Sequence, residues 1–196
     1  ERLIYHMLSA EGPKISVGDV NKDGREDFFI GGAKDQPGSI FIQDSRGTFV
    51  ESKQPALVEN KTSEDAASVF FDADGDGDQD LYVCSGSTDF SSASPALKDR
   101  LYINDGTGAF KNSGQQLPIR GYESTSCVRP TDFDLDGDLD VITGSSIARS
   151  GTPWTDHQIH VYLNDSPPGN WVRVEGFPIG TRVEITSNGL TQVREV

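Results

Sequence analysis

Phe70-Phe71-Asp72-Ala73-Asp74-Gly75-Asp76-Gly77-Asp78-Gln79-Asp80-Leu81-Tyr82-Val83 sets five aspartates, at every second position, between two short apolar runs. The flanking runs are aromatic or β-branched and too short for a helix, so they read as strands. The segment is therefore strand, acidic loop, strand. Two further segments align with it without gaps. The first is Val17-Gly18-Asp19-Val20-Asn21-Lys22-Asp23-Gly24-Arg25-Glu26-Asp27-Phe28-Phe29-Ile30. The other is Pro130-Thr131-Asp132-Phe133-Asp134-Leu135-Asp136-Gly137-Asp138-Leu139-Asp140-Val141-Ile142-Thr143. The leading aspartates are 53 and then 60 residues apart, a period that suits a four-stranded propeller blade.

Working outward, each core is followed by a second apolar echo: Ser39-Ile40-Phe41-Ile42-Gln43, Arg100-Leu101-Tyr102-Ile103-Asn104 and His160-Val161-Tyr162-Leu163-Asn164. Gly47-Thr48-Phe49 and Gly108-Ala109-Phe110 each open a further short strand, and Asp105-Gly106 is a hairpin signal. The fold class is all-β: about three propeller-type blades of four strands, near residues 10–55, 64–114 and 123–175, with the acidic loop between strands one and two. Only residues 56–60 and 95–99 suit a helical turn. Residues 2–9 read as an isolated strand. The repeats span 1–169, and 170–196 form a separate β segment with Asn188-Gly189 as a turn.

The loops have the chemistry of a hard-cation site. Counting from the first aspartate, positions 1, 3, 5 and 9 are Asp19, Asn21, Asp23 and Asp27; Asp72, Asp74, Asp76 and Asp80; Asp132, Asp134, Asp136 and Asp140. Calcium takes 6–8 oxygen ligands, and alternate side chains of a tightly curled loop converge on one point. Position 7 (Arg25, Asp78, Asp138) can add its backbone carbonyl, and position 6 is glycine in all three loops. An EF-hand requires a bidentate Glu at position 12 between helices, whereas Ile30, Val83 and Thr143 stand there. No Cys or His lies within the loops, which disfavours zinc and copper. The expected cofactor is Ca2+, about three ions per chain, holding the blades rigid.

The formal net charge is -14, concentrated in these loops, which argues against nucleic acid and anionic membrane surfaces as partners. No run of about 18 apolar residues suggests a membrane helix. The chain opens on Glu1 with no apolar leader, as a mature or trimmed stretch would. Cys84 and Cys127 both fall in strand interiors; they are either buried free thiols or a single bridge, a choice spacing alone leaves open.

The segment from Gly18 through Asp27-Phe28-Phe29-Ile30-Gly31-Gly32-Ala33 resembles an FG-GAP or VCBS-type repeat, as in integrin α-subunit propellers and many bacterial surface proteins. Trp171-Val172-Arg173-Val174, Ile179-Gly180-Thr181-Arg182-Val183 and Gln192-Val193-Arg194-Glu195-Val196 resemble the start of an ASPIC/UnbV-type domain. The resemblance implies a calcium-containing β-propeller that is extracellular, on the cell surface or periplasmic, with adhesion or recognition roles. Propellers of this family have about seven blades. Three do not close a ring, so further blades or a second copy of the chain are expected to complete it.

In such blades the longer connections, 33–38, 87–99 and 145–158, lie on the face opposite the acidic loops. They are expected to contact protein or carbohydrate through Phe90, Trp154 and His157. No catalytic residues are assigned. Glu64, Asp65, Asp89 and Glu123 read as free acids, but nothing marks them as the carboxylate pair a glycosidase needs. The expectation is a non-enzymatic recognition module, with a secreted glycan-degrading enzyme or a structural spacer as the alternatives.

Overall fold

The structure is a computed structural model and describes residues 14–87, 89–91, 94–115, 124–146, 158–164, 182–187 and 190–195. Strands β1 (Ile15–Gly18), β2 (Asp27–Ile30), β3 (Ser39–Gln43) and β4 (Phe49–Ser52) form an antiparallel meander, the first blade. Helix α1 (Pro55–Glu59) follows. The second blade repeats the order with β5 (Asp65–Phe71), β6 (Asp80–Ser85), β7 (Arg100–Asn104) and β8 (Phe110–Asn112). The third contains β9 (Ser124–Thr131), β10 (Asp140–Ser146) and β11 (Gln158–Tyr162). The fourth strand expected for this blade, the strand expected at residues 2–9 and the Trp171–Val174 stretch lie outside the described residues. Strands β12 (Arg182–Ser187) and β13 (Leu190–Glu195) pair as the hairpin expected around Asn188-Gly189.

The blades stand face to face because every strand alternates its side chains. On one side of the second blade Phe70, Leu81, Val83, Tyr102 and Phe110 meet Val20, Phe29 and Ile40 of the first. On its other side Phe71, Ala73, Tyr82 and Cys84 meet Val141, with Val128, Leu139 and Tyr162 packed around them. The central sheet is thus covered on both faces, and β6 is buried along its whole length. Within the first blade Gly38 leaves room for the Phe29 ring, since a Cβ there would come within 2.6 Å of it.

Polar bonds fix the blades laterally. The Asn104 side-chain amide donates to the Val20 carbonyl of the first blade (2.7 Å) and to the Gln79 carbonyl (3.0 Å). Asn164 likewise donates to the Ala73 carbonyl of the second blade (2.8 Å). Gln54, just ahead of α1, donates to the Gly108 carbonyl (2.7 Å) and accepts from the Phe110 amide (3.0 Å). The Ser16 and Ser68 hydroxyls meet at 2.6 Å between β1 and β5.

Two readings of the sequence are settled here. Cys84 is buried, Cys127 is exposed, and both are free thiols. Asp65 is not a free acid. It is buried, accepts from the Gly32 amide at 2.7 Å and pairs with Arg100 Nη2 at 2.5 Å. Its partners come from residues 33 and 35 positions away, a distance over which local pattern carries no signal.

Asn104→Ala strips the Val20 and Gln79 carbonyls of their buried donor. The expected cost is about 1–3 kcal/mol, read as a lower urea midpoint with unchanged slope. An unaltered midpoint would show that the lateral amides contribute nothing to stability.

Candidate metal loops

The three acidic loops link the first and second strands of their blades, so the meander carries them to one end of the molecule. Each curls because two of its residues take the left-handed conformation. At position 6 these are Gly24, Gly77 and Gly137, with φ of 82°, 85° and 102°. At position 4 they are Lys22 (58°), Gly75 and Leu135 (65°). Glycine at position 6 was legible in the sequence. The left-handed Lys22 and Leu135 were not, because such residues adopt this conformation only under constraint from their surroundings.

Each loop is anchored by the carboxylate at position 9. Asp27, Asp80 and Asp140 are fully buried. Each accepts one backbone N–H from position 2 of its own loop: Val20 (3.1 Å), Ala73 (2.8 Å) and Phe133 (2.6 Å). The other oxygen accepts from a backbone N–H at the end of the third strand or two residues past it: Gln43 (2.7 Å), Asn104 (2.8 Å) and Asn164 (2.8 Å). The role of Asn104 and Asn164 was missed in the sequence. The available signal was an Asn at the same offset from the loop in two repeats.

Position 1 takes the inner amides. Asp19 accepts from Asp23 (3.0 Å) and Gly24 (2.8 Å), and Asp72 from Gly75 (2.8 Å) and Gly77 (3.0 Å). Asp72, Asp74 and Asp80 bring carboxylate oxygens within 4.8 Å of one another, as do Asp132, Asp134 and Asp136. Several carboxylate oxygens in these loops have no partner: Asp78 Oδ1, Asp132 Oδ1 and both of Asp138 are shielded from water without a hydrogen bond.

The electrostatics reflect this crowding. Burial, opposed by two backbone hydrogen bonds and reinforced by Asp74 and Asp76, pushes Asp80 up to about 6. Burial and Asp76 push Asp78 up to about 6, against the pull of Lys22. Asp138 is raised to about 6 by burial and by Asp136. Asp27 and Asp74 are also raised, chiefly by burial. Orphaned oxygens, an all-oxygen donor set and carboxylates held protonated more readily than usual fit a hard cation.

The first loop differs. Asn21 replaces an aspartate, and the Arg25 guanidinium pairs with Asp23 while donating from Nε to the Gln43 carbonyl at 3.0 Å. This loop carries a cation of its own at position 7, where the others carry Asp78 and Asp138. Lys22 also leans from this loop toward Asp78 of the next, 3.9 Å away.

At the opposite end Phe90 is the expected contact residue that falls among the described residues. Phe90 is half-buried with Lys34 Nζ 5.2 Å from its ring centroid, and Lys34 also pairs with Asp89 at 3.6 Å. Trp154 and His157 lie outside the described residues. Beneath these loops is a buried polar cluster the sequence did not announce. Asp99 accepts from the Tyr82 hydroxyl (3.0 Å) and the Ser85 amide (2.9 Å), and Arg100 bridges Asp65 and Ser85. Desolvation raises Asp99 despite these bonds. A groove of about 780 Å³ between the second and third blades is floored by Phe71, Tyr82, Leu101 and Val141, with Asp74 and Asn164 among its lining residues.

No helix among the described residues is long and apolar enough to cross a membrane. No curated protein matches the chain. The family profile described as FG-GAP-like repeat matches residues 19–83 and 85–143, more than half of the chain. The matched stretches contain all three acidic loops and end within β10 of the third blade. This chain belongs to the FG-GAP-like repeat family and forms a β-propeller-like module of that family.

Proposed function

We propose that the chain is an extracellular recognition module whose blades are stiffened by structural calcium and whose variable loops, opposite the acidic end, contact a protein or carbohydrate partner. The observation that supports it most is the pair of carboxylate clusters, Asp72/Asp74/Asp80 and Asp132/Asp134/Asp136, with orphaned oxygens beside them. Calcium would be held by the side chains at positions 1, 3, 5 and 9, with the carbonyl of Arg25, Asp78 or Asp138 at position 7. It would supply the positive charge that the crowded carboxylates lack. The chain's own residues do the rest: the position 9 carboxylate anchors the loop, and the left-handed residues aim the others inward.

A recognition role also accords with the fate of the acids outside the loops. Asp65 and Asp99 are buried and hydrogen-bonded within the blade, so they are committed to its architecture rather than to a solvent-facing catalytic pair. Phe90, Trp154 and His157 remain the proposed contact residues on the recognition face. The C-terminal β segment is proposed to begin an ASPIC/UnbV-like domain.

Saturating calcium is expected to raise the melting temperature. At a hundredfold excess over Kd each site contributes about 2.7 kcal/mol, or roughly 5–10 °C for a domain of this size. A melting curve insensitive to both chelator and added calcium would refute the structural-calcium reading. By elemental analysis Asp74→Ala should lose one ion per chain. The first loop should fill last, because Arg25 already neutralises Asp23, and Arg25→Gln should tighten that weakest site by about tenfold.

The pH dependence of the metal-free protein has a defined sign. Asp78, Asp80 and Asp138 bind protons at about 6 in the folded chain, against an ordinary value of 3.8. Between these values the folded state holds more protons than the unfolded state, so stability rises as pH falls from 7 to 5. With calcium the order reverses, because protons compete for the same oxygens. Urea midpoints at pH 7 and pH 5, with chelator and with calcium, measure both slopes. Parallel slopes would exclude the Asp80 carboxylate as a ligand.

A further inference from the structure

The second and third loops read as equals in sequence. Each carries five aspartates at alternate positions, with glycine at position 6. The seams between blades make them different. Lys22, at position 4 of the first loop, reaches across to the second loop and places Nζ 3.9 Å from Asp78 Oδ2. Asp78 is 5% exposed, and its other oxygen has no hydrogen-bond partner. Gly106, in the turn between β7 and β8, leaves the space in which the two charges meet. A Cβ there would lie 2.9 Å from Asp78 Oδ2 and 3.9 Å from Lys22 Nζ. The ammonium also acts beyond Asp78. The Asp76 carboxyl, at position 5, is held below its ordinary value chiefly by the Asp78 backbone amide, with Lys22 among the further causes.

The next seam repeats the geometry without the charge. Asn104 bonds the Val20 carbonyl across the first seam and Asn164 bonds the Ala73 carbonyl across the second, so neighbouring loops are tied in the same way at both. The residue in the place of Lys22 is Gly75, which has no side chain to extend toward Asp138. Both are left-handed, at 58° and 79°, so the difference lies in the side chain and not in the backbone. Accordingly both oxygens of Asp138 are shielded from water without a hydrogen bond, against one of Asp78.

We propose that Lys22 is a built-in counter-cation for the second loop, supplied across the seam by the first, and that it makes the second loop hold calcium less tightly than the third. The ranking rests on the structural-calcium reading given under the proposed function. An ammonium beside Asp78 offsets the mutual repulsion of the crowded carboxylates while the loop is empty, and the same charge repels a divalent cation entering it. The second loop therefore keeps its shape at calcium levels that empty it, whereas the third depends on the ion.

Calorimetric calcium titrations of two variants test this. Asp134→Ala disables the third site and leaves the second as the tighter of the remaining two; Asp74→Ala leaves the third in that place. The Asp74→Ala chain is expected to bind its tighter ion about fivefold more strongly than the Asp134→Ala chain. Adding Lys22→Gln closes the gap by tightening the second loop while the third is unchanged, and Lys22→Arg, which keeps the charge, leaves the gap in place. With chelator, Lys22→Gln lowers the urea midpoint of the otherwise unsubstituted chain and has no further effect beside Asp78→Asn. Equal affinities in the two chains, or a gap that persists after Lys22→Gln, overturn the ranking. Additive effects of Lys22→Gln and Asp78→Asn in chelator overturn the counter-cation. A chain that binds no calcium overturns the structural-calcium reading and the ranking with it, and the urea midpoints in chelator then decide the counter-cation by themselves.

Discussion

The buried carboxylate at position 9 is the point on which each blade depends. Asp27, Asp80 and Asp140 have no exposed surface, and a charge so placed is tolerable only when its oxygens are occupied. Each oxygen takes one backbone N–H, one from the start of the acidic loop and one from the end of the third strand. A single side chain therefore ties together the second strand it begins, the loop before it and the strand beside it. The two amides would otherwise be orphans at a sheet end, where no ladder partner reaches them. In Asp27 and Asp80 these bonds lower the carboxylate's proton affinity. Burial and the neighbouring aspartates raise it further than the bonds lower it, at least in Asp80.

The same carboxylates link one blade to the next. The Asn104 backbone amide bonds Asp80, while its side chain bonds the Val20 carbonyl of the first blade; the Val20 amide in turn bonds Asp27. Asn164 repeats the connection between Asp140 and Ala73, whose amide bonds Asp80. An unbroken series of hydrogen bonds thus runs through all three loops, parallel to the apolar seams beneath. Apolar packing alone is non-directional and would tolerate some sliding of one sheet over another. The amides fix the register, since a buried carbonyl displaced from its donor pays its full desolvation cost.

Much of this was legible in the sequence, and the limits of legibility follow from range. The loops could be read because their ligating side chains, glycine and flanking strands all fall within a dozen or so residues and recur three times. Strand order could be read from the spacing of Ser39, Arg100 and His160 echoes. What escaped depends on partners far along the chain. Asp65 looked free because Gly32 and Arg100 are brought to it only by blade stacking. Arg25 was read for its backbone carbonyl, and nothing local said that its guanidinium would settle on Asp23. The faces of individual strands were open too, since blades covered on both sides lose the polar alternation that would mark inside from outside.

The two ends of the blades are built on different principles. At the acidic end, charge is concentrated and repetitive, and the loops have one length and one geometry. At the other end the supporting carboxylates are satisfied internally: Asp65 pairs with Arg100, and Asp99 accepts hydrogen bonds from the Tyr82 hydroxyl and the Ser85 amide. That buried cluster closes the strand ends without involving the tips of the loops above it. Loop 33–38 can therefore be short and loop 87–99 long while β2, β3, β6 and β7 keep the same register. Substitution in the tips leaves the position 9 anchors untouched, because the two lie at opposite ends of the same strands. The meander supplies this insulation by reversing direction between the loop that holds the blade and the loop at its other end, which is what the proposed recognition role requires.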